Sequence, residues 1–352
     1  MKRALDTAIC KLFGVRYPIV QTGMGWVSGA RLTAATSAAG GLGILASATM
    51  TFAELETAIR EVRERTDAPF GVNLRTDQSD IGERVALIVR EKVKVASFAQ
   101  APRKDIVKRL KDGGVLTMPT VGARRHAEKV AEMGVDAIIA QGHEGGGHTG
   151  PVPTSLLLPQ VTSAVDIPVL GAGGFFDGRG LVAALAWGAA GIAMGTRFLL
   201  TRESTVPDAI KKTYLETQVT GTVVTRAIDG YPQRVIRTKL VEALESSTAV
   251  GALARAARHA WQFRGLTGTS MTALVREGLA MKKSNELTYG QMAMAANAPM
   301  LTRASMVEGR PEVGILPTGQ VVGVIEELPT VAELLGRLMQ EAESTLARLG
   351  AS

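Results

Sequence analysis

Short apolar runs recur between residues 18 and 195, and each gives way to glycine or polar residues and then to a segment with helical periodicity. Runs of this length, bounded in this way, are typical of buried strands. Strands that alternate with helices favour parallel pairing, in which each helix crosses over one face of the sheet. The predicted strands cover residues 18–21, 42–46, 70–74, 93–98, 115–120, 137–140, 168–171 and 191–195.

Eight such strands predict an α/β fold, a closed (β/α)8 or TIM barrel, whose chemistry lies at the carboxyl ends of the strands. Polar residues and glycines gather at those ends, namely Gln21, Asn73, Thr120, Gln141, Gly173 and Gly195. An open, doubly wound sheet that binds a dinucleotide is the alternative. Its G-x-G-x-x-G fingerprint fails at both candidate turns, because Ser28 and Phe176 stand where the third glycine belongs. The pattern therefore favours the barrel.

After about residue 204 the alternation gives way to consecutive helical patterns, predicted at residues 208–215, 235–245, 252–263, 270–281 and 289–296. We interpret residues 205–309 as a helical cap, a substrate domain inserted after the eighth strand. Residues 1–204 and 310–352 then form the barrel. Within the barrel, Thr51 with Glu54 predicts a capped helix start. Apolar positions from Val331 to Met339 predict an amphipathic helix over residues 330–349 that packs back on the barrel.

The segment after the sixth predicted strand carries three consecutive glycines, Gly145 to Gly147, and then His148. Glycine has no Cβ, so such a run lets backbone amides approach a flat or anionic ligand closely. A flexible connection with two solvated histidines is the plainer alternative, but the next two strands also end in glycine. His143 and His148 do not have the spacing of the helical H-E-x-x-H motif, and the glycines disfavour that helix. No metal site is predicted here.

Glycine turns also follow the seventh and eighth predicted strands, at residues 171–174 and at Gly195. A barrel commonly binds phosphate between the loops that follow these two strands, on backbone amides and a helix N-terminus. The alternative is that the glycines only permit tight packing of strands against helices. The two turns together predict a phosphate site.

Composition narrows the class of protein. A chain of 352 residues can bury a large core, and Cys10 as the single cysteine excludes an intrachain disulfide and a cysteine metal cluster. No apolar segment follows the basic amino terminus, so no signal peptide is predicted. Residues 180–195 carry no charge, but their glycines fit a helix and a short strand better than a membrane span. We expect a cytoplasmic protein without a membrane partner.

The net charge of +7 is concentrated in one segment, because residues 234–283 hold nine basic and three acidic side chains. The basic residues are Arg234, Arg237, Lys239, Arg255, Arg258, Arg264, Arg276, Lys282 and Lys283. A solvated helical face is one interpretation. Nucleic acid is not predicted as a partner, because few aromatic residues are present to stack on bases. As a group, the charges suit the phosphates of coenzyme A.

The motifs at the strand ends resemble those of the nitronate monooxygenase, or 2-nitropropane dioxygenase, family of FMN-dependent barrels, which includes the flavin-dependent enoyl-acyl-carrier-protein reductases of bacteria. Residues 141–150 match Q-G-x-E-A-G-G-H-x-G with Gly145 in place of alanine. Residues 172–180 match A-G-G-I-x-D-G-R-G, and residues 195–198 match G-T-R-F. The resemblance covers most of the chain and implies an FMN oxidoreductase.

The resemblance implies that His148 is the catalytic histidine. A histidine can give or take a proton near neutral pH. The residues implied to bind FMN are Gln21, Thr22, Gly23, Met24, Asn73, Thr120, Gln141, Gly146, Gly147, Ala172, Gly173, Gly174, Met194, Gly195 and Thr196. Of these, Gly173, Gly174, Gly195 and Thr196 would hold the phosphate.

Two departures separate the chain from the nitronate enzymes. The turn from Gln21 to Met24 lacks their proline and is closer to the enoyl reductases, and Thr120 stands where they often carry lysine. Residues 175–180 and 222–226 resemble a subgroup from bacterial steroid degradation that acts on bicyclic acyl-CoA intermediates. The expected reaction is hydride exchange between flavin N5 and such an acyl-CoA, with NADH or NADPH as the second redox partner.

Two other functions remain open from the sequence. The first is a nitronate monooxygenase that oxidises alkyl nitronates with O2. The second, of another class, is a non-catalytic protein that binds a phosphate ligand, although the intact His148 disfavours it. A homodimer is one assembly compatible with the sequence.

Overall fold

A computed structural model describes residues 2–246 and 289–350. Eight parallel strands close into a barrel, in which the last strand pairs with the first. The barrel strands are β1 (Ile19–Gln21), β2 (Leu42–Ala46), β3 (Phe70–Leu74), β4 (Val95–Phe98), β5 (Leu116–Val121), β6 (Ile138–Gln141), β8 (Val169–Ala172) and β9 (Gly191–Met194). The predicted (β/α)8 barrel is confirmed, and each strand lies within two residues of its predicted bounds.

Two helices precede the first strand, and the others follow the strands and form the outer layer. They are α1 (Lys2–Leu5), α2 (Ala8–Phe13), α3 (Ala30–Ala38), α4 (Phe52–Arg65), α5 (Ile81–Arg90), α6 (Lys104–Asp112), α7 (Arg124–Glu132), α8 (Thr154–Thr162), α9 (Gly178–Ala186) and α10 (Thr196–Leu199). After the barrel come α11 (Asp208–Leu215), α12 (Lys239–Glu245), α13 (Tyr289–Met306) and α14 (Val331–Leu349), with short 3-10 turns at Ser47–Thr49 and Gln320–Val324. The predicted capping box of Thr51 and Glu54 is confirmed at the start of α4.

Alternation along each strand separates two apolar layers. In β6, Ile139 faces the barrel interior, while Ile138 packs in the layer between strands and helices. Ile9 and Phe13 of α2 belong to the same buried cluster as the interior strand residues. Because α2 precedes β1, these side chains close the amino end of the barrel and leave the carboxyl end for the site.

The helix α14 completes the outer layer. Thr330 caps it through a hydrogen bond from the Glu333 amide, and its predicted apolar face is buried. The helix packs against α9 and α3. A Cβ at Gly178 would overlap the backbone of α14 at Leu338, so this glycine of the D-G-R-G motif permits close approach of two helices. The predicted amphipathic helix is confirmed.

A small antiparallel sheet lies outside the barrel and was not predicted. It joins β7 (Gly147–His148) to the hairpin of β10 (Thr222–Thr225) and β11 (Gln233–Ile236), in the order β10-β11-β7. The prediction of one helix over residues 235–245 is therefore wrong at its start, and the helix begins only at Lys239. The β-branched residues Val235 and Ile236 favour the strand, which pairs with β7 and β10 at once.

Of the other predicted cap helices, residues 208–215 are confirmed as α11, and the one at residue 289 begins α13. The helices predicted at residues 252–263 and 270–281 lie outside the described residues. The division into a barrel and a cap domain remains a prediction. Within the part of the chain that the structure describes, no helix is long and apolar enough to cross a membrane.

Candidate active site

The glycine loops meet at the carboxyl end of the barrel, as their places in the sequence predict. A Cβ at Gly173, after β8, would come 2.8 Å from the amide nitrogen of Gly145, after β6. The hydroxyl of Thr196, after β9, accepts a hydrogen bond of 2.8 Å from the amide of Gly319. A Cβ at Gly146 would in turn overlap Gly319. The segment around Gly319 therefore lies against the glycine loops.

The loop that carries His148 is fixed on the start of α8. The Glu144 carboxylate accepts hydrogen bonds from the amide and the hydroxyl of Thr154, at 2.9 and 2.8 Å. The Gln141 side-chain amide donates to the carbonyl of His148 at 2.8 Å. The His143 ring contacts the Gly150 carbonyl at 2.8 Å through Nδ1, which closes the loop. The His143 ring therefore closes the loop, whereas the His148 ring takes no part in these contacts.

The ring of His148 is held from one side. Its Nε2 lies 2.7 Å from a carboxylate oxygen of Asp229, in the turn between β10 and β11. The His148 side chain is 63% exposed, whereas that of Asp229 is only 11% exposed. Among the described residues, none forms a hydrogen bond with His148 Nδ1. That nitrogen is the one available to a ligand.

The Asp229 carboxylate is ionised in this environment. Burial alone would raise its pKa, but the hydrogen bond and charge of His148, the Tyr231 amide and the Gln233 side chain together hold the pKa below its ordinary value of 3.8. The Tyr231 amide donates to the second carboxylate oxygen at 3.1 Å. An ionised carboxylate only accepts hydrogen bonds, so His148 Nε2 must carry the proton that lies between them.

The hairpin supplies further residues that sequence reasoning missed. Arg234 of β11 is buried and donates to the carbonyl of His143 at 3.1 Å and to the hydroxyl of Thr222 at 2.8 Å. Burial lowers the pKa of its guanidinium, and the charge of Glu144 opposes that effect. Tyr231 is exposed, with its ring edge-on to His148 at a centroid distance of 6.1 Å.

A signal for this hairpin is present in the sequence. Two β-branched runs flank the dipeptide Asp229-Gly230, which is typical of a turn between antiparallel strands. The pairing of Asp229 with His148, which are 81 residues apart, has no such local signal.

The turn after β1 lies where the prediction placed it, at the pocket end of the barrel. A Cβ at Gly23 would contact the side chain of Asn73, and a Cβ at Gly195 would come 3.3 Å from both Thr22 Oγ1 and the sulfur of Met24. Asn73 itself donates to Ser97 at 3.1 Å. The turn after β1 is thus in contact with the end of β3 and with Gly195 after β9.

Some predicted site residues do not present their side chains to this region. Gln21 is fully buried, and its amide binds Thr22, Ser28 and Ile44, so that it supports the turn. Met194 packs in the outer apolar layer and offers only its carbonyl, which accepts from the Thr22 amide at 3.1 Å.

Of the remaining predicted residues, Ala172 is buried in the interior cluster, and its carbonyl accepts from the Gly142 amide at 2.9 Å. Thr120 of β5 is partly buried beside the same end of the barrel.

The residues present fit the phosphate and ring of FMN. Gly173 and Gly174 have φ of +87° and +84°, a left-handed turn that brings backbone amides to the surface of the loop. The first amides of α10, from Thr196, have no acceptor within their own helix, and such amides commonly bind phosphate. A Cβ at Gly147 would meet nothing within 4 Å, so open space adjoins the loop that carries His148.

The arginine of the G-T-R-F motif contacts the carboxyl-terminal part of the chain. Arg197 is buried, and its Nη2 lies 3.8 Å from Glu327. Burial lowers the pKa of Arg197 to about 10, against the opposing charge of Glu327. Glu327 also pairs with Arg337 of α14.

Only three of the nine basic residues between 234 and 283 lie in the part of the chain that the structure describes. Arg234 does not belong to a surface, because it is buried and hydrogen-bonded within the sheet. Arg237 and Lys239 are exposed. The other six members, Arg255, Arg258, Arg264, Arg276, Lys282 and Lys283, lie outside the described residues.

The fold and the site together define a barrel enzyme with a histidine at its carboxyl end. The family model for nitronate monooxygenase matches residues 6–85 and 79–341. The chain therefore belongs to the nitronate monooxygenase family, and it is an oxidoreductase rather than a non-catalytic binding protein.

Relatives and solved structures extend this finding. A Rhodococcus jostii protein is 56% identical over 347 residues, which cover 99% of this chain and 98% of the relative. Its name is (3aS,4S,5R,7aS)-5-hydroxy-7a-methyl-1-oxo-octahydro-1H-indene-4-carboxyl-CoA dehydrogenase. A Mycobacterium tuberculosis protein of the same name is 55% identical over 96% of each chain. The structure of FabK from Thermotoga maritima matches with a TM-score of 0.79 and 33% identity over 98% of both chains.

Proposed function

We propose that the protein is an FMN-dependent dehydrogenase of a bicyclic acyl-CoA. The observation that carries the proposal is the place of His148, beside open space and on a loop in contact with the glycine turns that fit a flavin phosphate. The two relatives whose names state a hydroxy-methyl-oxo-octahydroindene carboxyl-CoA support this substrate class.

Each part of the site has a proposed task. The backbone of Gly173, Gly174, Gly195 and Thr196 would hold the FMN phosphate, and Gly146 and Gly147 would lie beside the flavin ring. When bound, FMN supplies a two-electron acceptor that takes a hydride at N5. The residues of the chain must then bind the thioester and move one proton.

His148 is suited to accept that proton. The carbonyl of a thioester acidifies the neighbouring C–H bond, and the free Nδ1 of His148 can accept this proton as a general base. With a bound cofactor to take up the hydride of the adjacent carbon, the substrate would give up one proton and one hydride and would gain a carbon–carbon double bond. The proton leaves from His148 to solvent. NAD⁺ or NADP⁺ is the proposed acceptor of the electrons thereafter.

The test uses the purified protein under anaerobic conditions. We expect a yellow protein that releases FMN, and not FAD, on denaturation, and whose flavin absorbance falls on mixing with the octahydroindene carboxyl-CoA thioester. The free acid without coenzyme A is the matched control and should act poorly. A colourless protein that cannot be reconstituted with FMN would overturn the cofactor proposal.

Oxidation of an alkyl nitronate is the second candidate, and the match to the family model over residues 6–85 and 79–341 favours it. Thr120, in place of the lysine that the resemblance associates with nitronate enzymes, disfavours it. Adding propane-2-nitronate in the same experiment distinguishes the two. Reduction by the nitronate and not by the thioester would replace the first proposal with the second.

A further inference from the structure

The β10–β11 hairpin fixes both the backbone and the side chain of His148. Its backbone lies in β7, where residue 148 is paired with Gln233 of β11. The amide of Thr149 continues the contact, with a hydrogen bond of 3.0 Å to the carbonyl of Pro232. The ring is held separately, through the 2.7 Å contact with Asp229. A loop rich in glycine would leave a histidine free to rotate, and the hairpin removes that freedom.

Asp229 is itself held in place from several directions. Its residue is 8% exposed, and its second oxygen accepts from the Tyr231 amide across Gly230, which has φ of +87°. The buried side chain of Gln233 lies near the carboxylate and favours a lower pKa, but its Nε2 has no hydrogen-bond partner among the described residues. The carboxylate therefore has a fixed position and a fixed charge before any ligand arrives.

We propose that Asp229 is the positioning residue of the site, and that its carboxylate fixes His148 as the Nε2–H tautomer with Nδ1 directed to the substrate. The inference rests on the proposed function, in which Nδ1 takes the proton beside the thioester carbonyl. Asp229 does not itself touch the reacting atoms. Carboxylates that hold a catalytic imidazole in one tautomer act in the same way in hydrolases.

Other charged groups near the loop are engaged elsewhere. Glu144 is bound to the start of α8, and the Arg234 guanidinium binds a carbonyl and a hydroxyl. His143 is bound to Gly150 through its ring. The Tyr231 ring lies at 77° to the His148 ring and forms no hydrogen bond with it. Among the described residues, Asp229 alone is placed to set the His148 tautomer.

The first test reads the tautomer without any turnover. The chain has four histidines, so 15N labelling of the imidazoles gives a spectrum that His148→Gln can assign. At alkaline pH the native protein should show His148 protonated at Nε2, with a slowly exchanging proton. In Asp229→Asn, which keeps the shape and can still accept from the Tyr231 amide, this proton should exchange faster and the Nδ1–H form should appear. An unchanged spectrum would overturn the proposal.

The second test separates positioning from stability. In the FMN-loaded enzyme, Asp229→Asn should lower kcat by about 10- to 1,000-fold and change KM less than about threefold, the pattern of a misoriented base. Asp229→Glu, which keeps the charge, should recover part of kcat. Asp208→Asn, a surface carboxylate at the start of α11, is the control and should leave kcat unchanged.

The outcomes distinguish the two proposals. If Asp229→Asn loses FMN or unfolds, the folded Asp229→Glu variant decides, and the positioning role then requires the native tautomer together with part of the native kcat. If both variants keep the native tautomer and lose only stability, Asp229 is part of the turn and nothing more. If the native enzyme does not act on the acyl-CoA at all, the proposed function fails, but the imidazole spectra still decide the role of Asp229.

Discussion

The barrel and the small antiparallel sheet are built by different physical rules. Each barrel strand pairs with its neighbour in the sequence of barrel strands, and the interior is filled by apolar side chains. The small sheet joins residues 147–148 to residues 222–236, and its decisive contacts are polar, through Asp229 and Arg234. The frame of the site therefore comes from apolar packing, whereas the orientation of its histidine comes from polar contacts of the small sheet.

Substitutions in the barrel and in the small sheet should therefore have different effects on the protein. A substitution in the apolar layers of the barrel lowers the free energy of unfolding, because it either leaves a cavity or overpacks the core. Loss of a polar contact in the small sheet changes where one side chain points, at a smaller cost in stability. Substitutions in the barrel should therefore act mainly on the free energy of unfolding, whereas substitutions in the small sheet should act mainly on turnover.

The largest effect is expected at His148. We expect His148→Ala to lower turnover by about 10²- to 10⁴-fold, the range for loss of a general acid or base, and to retain FMN. His143→Ala is the matched control, because this ring only closes the loop on Gly150. Steady-state rates and flavin content measure both. Equal losses in the two variants would show that the loop acts as a single unit and that the roles are misassigned.

The second prediction concerns the barrel frame. A Cβ at Gly43 of β2 would overlap the backbone carbonyl of Thr33 in α3, so Gly43→Ala should destabilise the fold by about 3 kcal/mol. Urea unfolding measures this change. Gly336→Ala in α14, where a Cβ would meet nothing within 4 Å, should be neutral or stabilise by up to about 1 kcal/mol. If Gly43→Ala leaves the free energy of unfolding unchanged, α3 does not pack as closely on β2 as the structure shows.

The third prediction returns to the small sheet. Arg234→Met leaves the carbonyl of His143 and the hydroxyl of Thr222 without their donor, which should cost about 1–3 kcal/mol and lower turnover more than tenfold, on the order of the loss for a displaced base. The exposed neighbour Arg237→Met should alter neither quantity. Unchanged turnover in Arg234→Met would mean that the loop keeps its position without the hairpin.

The smallest effect is expected when the pH is lowered, through the contribution of Asp229 to the free energy of unfolding. The folded-state pKa of Asp229 lies below its ordinary value of 3.8, so the ionised carboxylate stabilises the folded protein above that value. This contribution is lost as pH falls through the lower folded-state pKa. Unfolding free energies of the native protein and Asp229→Asn should differ at about pH 7 and converge near pH 3 or below. A gap that persists in acid would show that charge is not the cause.

Sequence patterns predict the barrel closely because its rules are local. The apolar runs predict β2 and β3 to the residue, and the apolar positions from Val331 to Met339 predict α14. The error at residue 235 has a physical reason, since the apolar spacing of Val235 and Ile236 continues into the helical pattern of α12. Pairing with β7, which lies far away in the sequence, decides the outcome.

The candidate site is predictable only in part for the same reason. Motif resemblance points to His148 and to the glycine turns, which the structure brings together. It does not reveal that the Gln21 side chain supports its own turn, because burial depends on Ser28 and Ile44. Nor does it reveal Asp229, because the contact with His148 spans 81 residues of chain.

The place of α14 has a consequence for how the molecule assembles. This helix covers α9 and α3, yet it follows β9 by more than a hundred residues of chain. During synthesis, α3 and α9 emerge before α14 and expose to water the apolar faces that α14 later covers. At about 5–20 residues per second, translation of the intervening chain takes several seconds or more. Contacts of such long separation also slow folding. The nascent barrel is therefore a natural client for chaperones until its last helix arrives.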